Sequence, residues 1–299
     1  MDSLDPLVSV VLCFRNEEAS LKEAVESVIH QDYRNWELFL VDDGSTDGGT
    51  RMGRRFAARY PGRIFYMDHP YHQSKGPGAG INMAIGRCRG TYVAFLNASD
   101  IWLPGKLSRQ VQLFCLHKVT VVVEASLCQP TSGHGVRRVP VGAPEGSYKP
   151  PELMLRLYPL GTGAAPRMSG VMVHRAVLRR CVFEEIFRGI FQDYHDHAFL
   201  CKVYLNETVF VSVSCHHKAG ARDDGMHASE ESHATRRNFL YWLRDYLSAQ
   251  PVRYRSVEKL LRKAHMRYRK PVRYNLLVAV QRFLARVMAK PRVSISDKT

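Results

Sequence analysis

The sequence lacks a hydrophobic run long enough to cross a bilayer as a helix. Such a helix needs roughly 18 or more consecutive apolar residues, and no run in the 299-residue chain approaches that length. The N-terminus, residues 1 to 6, carries two acidic residues and lacks the apolar core that a signal peptide requires. These absences predict a cytoplasmic protein, with peripheral attachment to the inner face of the membrane left open.

Paired cysteine motifs are also missing. The chain has seven cysteines, an odd number, and none of them forms Cys-x-x-Cys. This favours reduced thiols over a disulfide framework. The pattern Gly-x-x-x-x-Gly-Lys-Ser/Thr does not occur, which argues against a P-loop, and Gly76 to Gly80 does not match a dinucleotide-binding fingerprint.

Acidic residues are scarce at the C-terminal end. The net charge is +15, and residues 251–299 contain 14 Lys and Arg against only two acidic residues. Arg282, Arg286 and Lys290 recur at a spacing of four, on one face of a predicted helix. This helix either lies in the interface of an anionic membrane or packs on the protein with its basic face in water. No recognition module accompanies the basic residues, so nucleic acid is not an expected partner.

Apolar segments alternate with amphipathic segments along most of the chain, which predicts an α/β fold. Strands are predicted at 8–13, 36–41, 63–67, 92–96, 119–125, 169–173 and 208–213. This order predicts a mostly parallel sheet flanked by helices. Residues 129–168, rich in Gly and Pro, are predicted to be irregular. Toward the C-terminal end three successive helices are predicted, at 230–248, 255–268 and 274–289. We therefore expect residues 1–228 to form one domain and residues 229–299 a basic helical C-terminal region.

Polar and acidic side chains follow three of the predicted strands. They are Phe14, Asn16 and Glu17 after the first, Asp42 and Asp43 after the second, and Asn97, Ser99 and Asp100 after the central strand. Because parallel strands share one crevice at their carboxyl ends, we expect these side chains to meet there. Carboxylates in such a crevice can bind ribose hydroxyls or a divalent metal. Alternatively, Asn, Ser and Asp simply end the strands in turns.

Three segments of this sequence resemble one known family. They are Val-Ser-Val-Val-Leu-Cys-Phe-Arg-Asn-Glu-Glu from residue 8, Leu-Val-Asp-Asp-Gly-Ser-Thr-Asp-Gly from residue 40, and Gly-Thr-Tyr-Val-Ala-Phe-Leu from residue 90. In order and spacing they resemble an inverting family 2 glycosyltransferase of the GT-A fold, bacterial branch. The resemblance extends over roughly residues 7–225. It implies a GT-A-like sheet, a nucleotide-diphosphate sugar as donor, and a glycan or lipid-linked acceptor.

The resemblance also implies a role for each residue at the strand ends. Asp43 would bind the donor base, with Asp42 supporting the turn. The base and ribose pocket would be lined by Phe14, Asn16 and Glu17. A divalent metal, Mn or Mg, would be held at the position of the family's Asp-x-Asp by Asp100 and Ser99, with Asn97 beside the diphosphate.

The sequence departs from the family pattern at this metal position. Where the family reads Asp-x-Asp-Asp, neutral Asn97 and Ser99 replace two carboxylates, and neutral ligands hold a divalent cation more weakly. An arginine of the preceding helix is also replaced, by Ile81, and Lys75 or Arg87 could supply the missing cation unless both are solvated surface residues. A second hypothesis follows: a GT-A-like nucleotide-binding or scaffold protein at the membrane surface that has lost turnover.

The position of the catalytic base is ambiguous in the sequence. The family has a Glu-Asp pair between Phe-Arg-Gly and Ala-Phe-Leu, and this segment carries about three additional residues. Counting from the left assigns the base to Asp193, and counting from the right assigns it to Asp196. Two histidine pairs lie nearby, but no cysteine pair accompanies them, so a zinc site is not predicted. These pairs are His195 with His197 and His216 with His217.

Overall fold

A computed structural model describes residues 5–128, 135–187, 194–220 and 233–269. The chain forms two compact units, Met1–Glu231 and Ser232–Thr299. The strands are β1 Val8–Phe14, β2 Trp36–Asp42, β3 Ile64–Asp68, β4 Tyr92–Phe95, β5 Ile101–Trp102, β6 Val121–Glu124, β7 Ser126–Cys128, β8 Arg137–Val139, β9 Gly146–Tyr148, β10 Val171–His174, β11 Val209–Ser212 and β12 His217–Ala219. The helices are α1 Glu18–Ile29, α2 Gly49–Arg59, α3 Pro77–Ile85, α4 Lys106–His117, α5 Glu152–Arg156, α6 Tyr194–Asn206, α7 His233–Ser248 and α8 Arg255–Arg269.

An eight-stranded sheet in the order β3-β2-β1-β4-β10-β6-β11-β9 forms the centre of the first unit. The pairings β2–β3, β1–β2, β1–β4 and β6–β11 are parallel. Strand β10 runs antiparallel to both of its neighbours, and β9 runs antiparallel to β11. The predicted α/β class with a mostly parallel sheet is confirmed. The antiparallel insertion of β10 was not predicted, because a short apolar run does not reveal its direction.

The inner strands of this sheet are almost entirely buried, as their continuous apolar sequences predict. Every residue of β2 is buried, including Glu37 in its middle. The Glu37 carboxylate accepts hydrogen bonds from the Ser9 hydroxyl at 2.7 Å and from the Arg89 guanidinium at 2.7 and 2.9 Å. Next to it the backbone at Gly90 approaches β1 so closely that a Cβ would lie 2.6 Å from the Ser9 nitrogen. Position 90 therefore requires glycine.

A second, smaller sheet has the strand order β5-β12-β7-β8, and all four of its strands follow β4 in the sequence. Two of its strands, and also β9 and α5, fall in or beside the segment that was predicted to be irregular. The prediction missed these short elements, although most of the described residues of that segment, 135–168, are irregular as predicted. Strands of three residues carry too short a pattern for periodicity to detect.

The second unit contains α7 and α8, and each is amphipathic. Their buried apolar residues are Phe239, Leu240, Leu243 and Leu247 in α7 and Val257 and Leu261 in α8. The third helix predicted at 274–289, with its basic face, lies outside the described residues. Within the described ranges, no helix is both long enough and apolar enough to cross a membrane.

Candidate active site

The order of the strands creates a crevice at one edge of the large sheet. The chain adds β2 and β3 on one side of β1 and then returns to place β4 on the other side. Such a reversal separates the loops that follow β1 and β4, which opens a crevice at their carboxyl ends. A cleft of about 740 Å³ lies there. Its lining includes Phe14, Asn16, Glu17, Asp43, Asn97, Ser99, Asp100 and Asp196, all of them predicted site residues.

The turn after β1 is closed against the turn after β2. The Asn16 amide N–H donates to the Ser45 hydroxyl at 3.1 Å, and the Asn16 side-chain oxygen accepts from the Thr46 N–H at 2.7 Å. Asn16 has a φ of 55°, a left-handed conformation that Asn adopts more readily than most residues. These contacts hold Asn16 and the neighbouring Glu17 at the mouth of the cleft.

Asp43 fixes the segment that precedes α3. Its carboxylate accepts hydrogen bonds from the Ser74 hydroxyl at 2.8 Å, from the Lys75 N–H at 2.7 Å and from the Gly76 N–H at 3.0 Å. Gly76 takes a φ of 88°, which favours glycine. Lys75 is exposed and is not among the residues that line the cleft. Its position therefore does not support the predicted contact with the donor.

Asp42 lies beneath the turn rather than in the cleft. It is fully buried, and its carboxylate accepts from the Ser45 N–H at 2.8 Å, from the Thr50 hydroxyl at 2.5 Å and from the Tyr66 hydroxyl at 3.0 Å. These bonds hold the turn together from inside the fold. The structure therefore places Asp42 where a supporting residue would lie and separates it from the lining of the cleft.

Asp100 joins three segments that are distant in sequence. One carboxylate oxygen accepts from the Ser169 hydroxyl at 2.6 Å, and the other accepts from the Gly220 N–H at 2.9 Å. The Ser169 hydroxyl also accepts from the Asn97 N–H at 3.0 Å. Asp100 is 1% exposed. Ser169 and Gly220 were not predicted as site residues, because nothing in their local sequence indicates a partner so far away.

The donor set around Asp100 fits a divalent metal poorly. Divalent cations such as Mg²⁺ are normally bound through one or two carboxylates together with substrate phosphates. Here the single carboxylate has both oxygens engaged, and its neighbours Asn97 and Ser99 supply only neutral oxygens. In the part of the chain that the structure describes, no group of three His, Cys, Asp or Glu is arranged to hold a metal ion.

Asp196 reaches the cleft from the first turn of α6. Its carboxylate lies 3.0 Å from the Nε2 atom of His195, and its side chain is 28% exposed. A negative side chain is favoured near a helix N-terminus because the backbone N–H groups there point toward it. His195 and His197 line the cleft beside it. The alternative base, Asp193, lies outside the described residues.

A buried ionic cluster borders the cleft and was missed by the sequence analysis. Glu124, at the end of β6, lines the cleft, and its carboxylate lies 3.4 Å from Nζ of Lys106 and 3.3 Å from Nδ1 of His217. Nδ1 of His216 lies 3.5 Å from the second oxygen. The side chains of Lys106, Glu124 and His217 are fully buried. The sequence did contain a signal for this cluster: Glu124 is a single acidic residue inside a predicted apolar strand, and a buried carboxylate requires a partner.

The two main charges of this cluster support each other. Burial alone would raise the pKa of Glu124, but Lys106 and the two histidines outweigh it and lower that pKa to about 2. Burial lowers the pKa of Lys106, and the Glu124 charge acts in the opposite direction. Glu124 is therefore ionised at neutral pH and holds β12, through His217, next to the loop that binds Asp100.

The chain belongs to glycosyl transferase family 2, whose family model matches residues 9–187. Its curated relatives include WfgD of Escherichia coli, named UDP-Glc:alpha-D-GlcNAc-diphosphoundecaprenol beta-1,3-glucosyltransferase. WfgD is 31% identical over 116 residues, which make up 39% of this chain and 44% of that protein. The chain spans less than half the length of the curated relatives that it matches.

Solved structures confirm that the fold is GT-A-like. TarS of S. aureus, residues 1–349, matches with a TM-score of 0.66 and 18% identity over 88% of this chain and 73% of that one. The mannosyltransferase PcManGT of Pyrobaculum calidifontis, in complex with GDP-Man and Mn²⁺, matches with a TM-score of 0.58 and 18% identity over 97% of this chain and 77% of that one. At this identity the likeness concerns the fold.

Proposed function

We propose that this protein is a glycosyltransferase that moves a sugar from a nucleotide-diphosphate donor to a glycan or lipid-linked acceptor, with inversion at the anomeric carbon. One observation carries the proposal: Asp43, Asp100 and Asp196 line a single cleft at the strand reversal. These three carboxylates come from widely separated parts of the sequence. A crevice at such a reversal is where open α/β sheets bind their ligands.

The nature of the donor is supported by structures of the same fold. TarS has been solved with UDP and with UDP-GlcNAc, and PcManGT with GDP-Man and Mn²⁺. In this chain the base and ribose would lie near Phe14 and against Asn16, Glu17 and Asp43, which supply hydrogen-bonding oxygens. The Phe14 ring itself is 2% exposed and packs in the core, so it would support the pocket from below. The diphosphate would then extend toward Asn97, Ser99 and Asp100.

The transfer requires a base that removes a proton from the acceptor hydroxyl. The deprotonated oxygen attacks the anomeric carbon, and the bond from that carbon to the diphosphate breaks on the opposite face, which inverts the centre. Asp196 is a candidate base because it lines the cleft and is partly exposed. Asp193 remains the alternative. His195, 3.0 Å from Asp196, would hold the carboxylate in position.

The acceptor belongs to the cell envelope in this proposal. The name of WfgD specifies a diphosphoundecaprenol-linked sugar, an acceptor that lies at a membrane. Residues 251–299, with their 14 basic side chains, would bring the enzyme to the anionic inner face of that membrane. Co-sedimentation with anionic liposomes tests this step. Equal pelleting of the full chain and of a chain lacking residues 251–299 would contradict it.

A catalytically impaired nucleotide-binding or scaffold protein is the second candidate. It is favoured by the neutral residues Asn97 and Ser99 at the position where the family carries carboxylates. Such a protein would bind a nucleotide in the cleft without turning it over. The distinction therefore depends on catalysis rather than on binding.

The experiment measures release of nucleoside diphosphate from UDP-Glc, UDP-GlcNAc and GDP-Man, each with Mn²⁺ and with EDTA. We expect release from at least one donor, and a loss of roughly 10²–10⁴-fold in either Asp196→Asn or Asp193→Asn, because one of them is the base. Asp245→Asn, an exposed change in α7, is the control and should retain activity. Nucleotide binding without any release would support the scaffold hypothesis instead.

A further inference from the structure

We propose that Arg167 holds the diphosphate of the donor in place of a divalent metal ion, so that donor binding does not require a metal. The inference rests on the proposed function, since it assumes a nucleotide-diphosphate ligand in the cleft. It follows from two independent features of the cleft: the engaged carboxylate of Asp100, and a buried Nη2 atom of Arg167 that has no hydrogen-bond partner among the described residues.

The first feature is that both carboxylate oxygens of Asp100 already accept hydrogen bonds within the fold. A metal bound at this position would have to compete with the Ser169 hydroxyl and the Gly220 N–H, which bind the two carboxylate oxygens at 2.6 and 2.9 Å. Asp100 is also 1% exposed. This carboxylate already connects Ser169 to Gly220, so its negative charge contributes to holding these two segments together. Another cation must therefore offset the charge that develops on the departing diphosphate.

The second feature is Arg167 itself. It lines the cleft, and its Nη2 atom is buried with no hydrogen-bond partner among the described residues. A buried charged donor without a partner is unfavourable, because it has lost its hydration and gained nothing in exchange. Because Arg167 lines the cleft, a small rotation of its side chain toward an anion bound there would supply the missing partner. Guanidinium groups suit phosphate especially well, since two parallel N–H groups can bind two oxygens.

The backbone at Arg167 is tied to the turn that contacts Asp100. The Arg167 carbonyl accepts from the Gly170 N–H at 2.9 Å, which closes the turn that carries Ser169. Ser169 in turn contacts both Asn97 and Asp100. The backbone of Arg167 is therefore anchored two residues from Ser169, the residue that bonds to Asn97 and Asp100 at the position of the family's metal site.

Two other arginines line the cleft and differ from Arg167 in burial. Arg15 and Arg137 are exposed, whereas Arg167 is half-buried. Exposed guanidinium groups keep their hydration and are screened by salt, so they attract an anion only weakly. Arg167 is the one of the three whose charge acts from inside the wall, where the effective dielectric is lower.

The test compares binding of UDP, GDP and the parent nucleosides by titration calorimetry, in EDTA and in Mn²⁺. The wild-type chain should bind one nucleoside diphosphate more tightly than its nucleoside in EDTA, and Mn²⁺ should change that affinity less than about threefold. Arg167→Gln should weaken diphosphate binding by roughly 10- to 100-fold, the value of one or two charge-assisted hydrogen bonds. It should leave nucleoside binding unchanged, which also shows that the variant is folded. Arg167→Lys should recover part of the loss, because it restores the charge without the paired geometry.

Arg55→Gln, an exposed change in α2 outside the cleft lining, is the matched control and should behave as the wild type. Diphosphate binding that depends on Mn²⁺ and is unaffected by Arg167→Gln would overturn this inference and leave the proposed function intact. Failure of both nucleoside diphosphates to bind under either condition would overturn the proposed function together with the inference.

Discussion

The two walls of the cleft are built in different ways. We call residues 14–17 with Asp43 the β1/β2 wall, and residues 97–100 with 167–170 the β4/β10 wall. The bonds within the β1/β2 wall connect neighbouring turns, such as the Asn16–Thr46 pair. In the β4/β10 wall, Asp100 is bound by groups 69 and 120 residues further along the chain. The bonds of the first wall span about 30 residues and join the turns of successive strands, whereas those of the second wall bring together distant parts of the chain.

The largest effect is expected behind the β4/β10 wall, at the buried ion pair of Lys106 and Glu124. Lys106→Met removes the positive partner and leaves the buried Glu124 charge with only the two histidines as partners. A change of this kind costs about 3–5 kcal/mol of unfolding free energy. Urea unfolding of the wild type and the variant at pH 7 measures the loss.

The double variant Lys106→Met/Glu124→Gln separates charge from packing. It removes both charges, so we expect it to be more stable than Lys106→Met alone. A double variant as unstable as the single one would show that Lys106 acts through its volume and not through the ion pair.

A smaller effect concerns the pH dependence of stability. The pKa of Glu124 is lowered from its ordinary value of 4.5 to about 2 in the folded protein. Its ionised form therefore stabilises the fold above about pH 4.5, and this contribution is lost as the pH falls toward 2. Urea midpoints measured between pH 6 and pH 3 should fall more steeply for the wild type than for Glu124→Gln. Parallel profiles would contradict the lowered pKa.

The smallest of the three effects is expected in the β1/β2 wall. In the wild type the two charged oxygens of Asp43 accept hydrogen bonds from Ser74, Lys75 and Gly76. Asp43→Asn leaves a single, uncharged oxygen as acceptor. We expect a loss of about 1.5–3 kcal/mol, the usual contribution of a hydrogen bond to a charged group. Urea unfolding measures it, with Asp32→Asn as a control, since Asp32 is bound by Ser108 at the surface. Equal losses in the two variants would mean that Asp43 does not hold its loop.

The difference between the walls also explains what the sequence could predict. The strands, the parallel core of the sheet and the positions of Asn16, Asp43 and Asp100 in one crevice follow from apolar runs that end in polar residues. Those signals lie within a few residues of each other. The contacts of Asp100 with Ser169 and Gly220 involve residues with no pattern of their own, and only the folded chain brings them together.

Arg167 and Glu124 show the same limit. The sequence suggested Lys75 or Arg87 as the replacement cation, because both lie near the helix where the family's arginine is missing. The structure instead places Arg167 in the cleft lining, with a buried Nη2 atom that has no hydrogen-bond partner within the described part of the chain. The histidine pair His216 and His217 was visible in the sequence, but their partner Glu124 lies about 90 residues away.

The central claim is that this cleft binds a nucleoside diphosphate across both walls. A crystal structure of the chain with bound UDP or GDP, grown in EDTA, tests it most directly. The account predicts the base against Asn16 and Asp43 and the diphosphate within hydrogen-bond distance of the Arg167 guanidinium. A nucleotide bound outside the cleft, or one whose diphosphate points away from the β4/β10 wall, would contradict it.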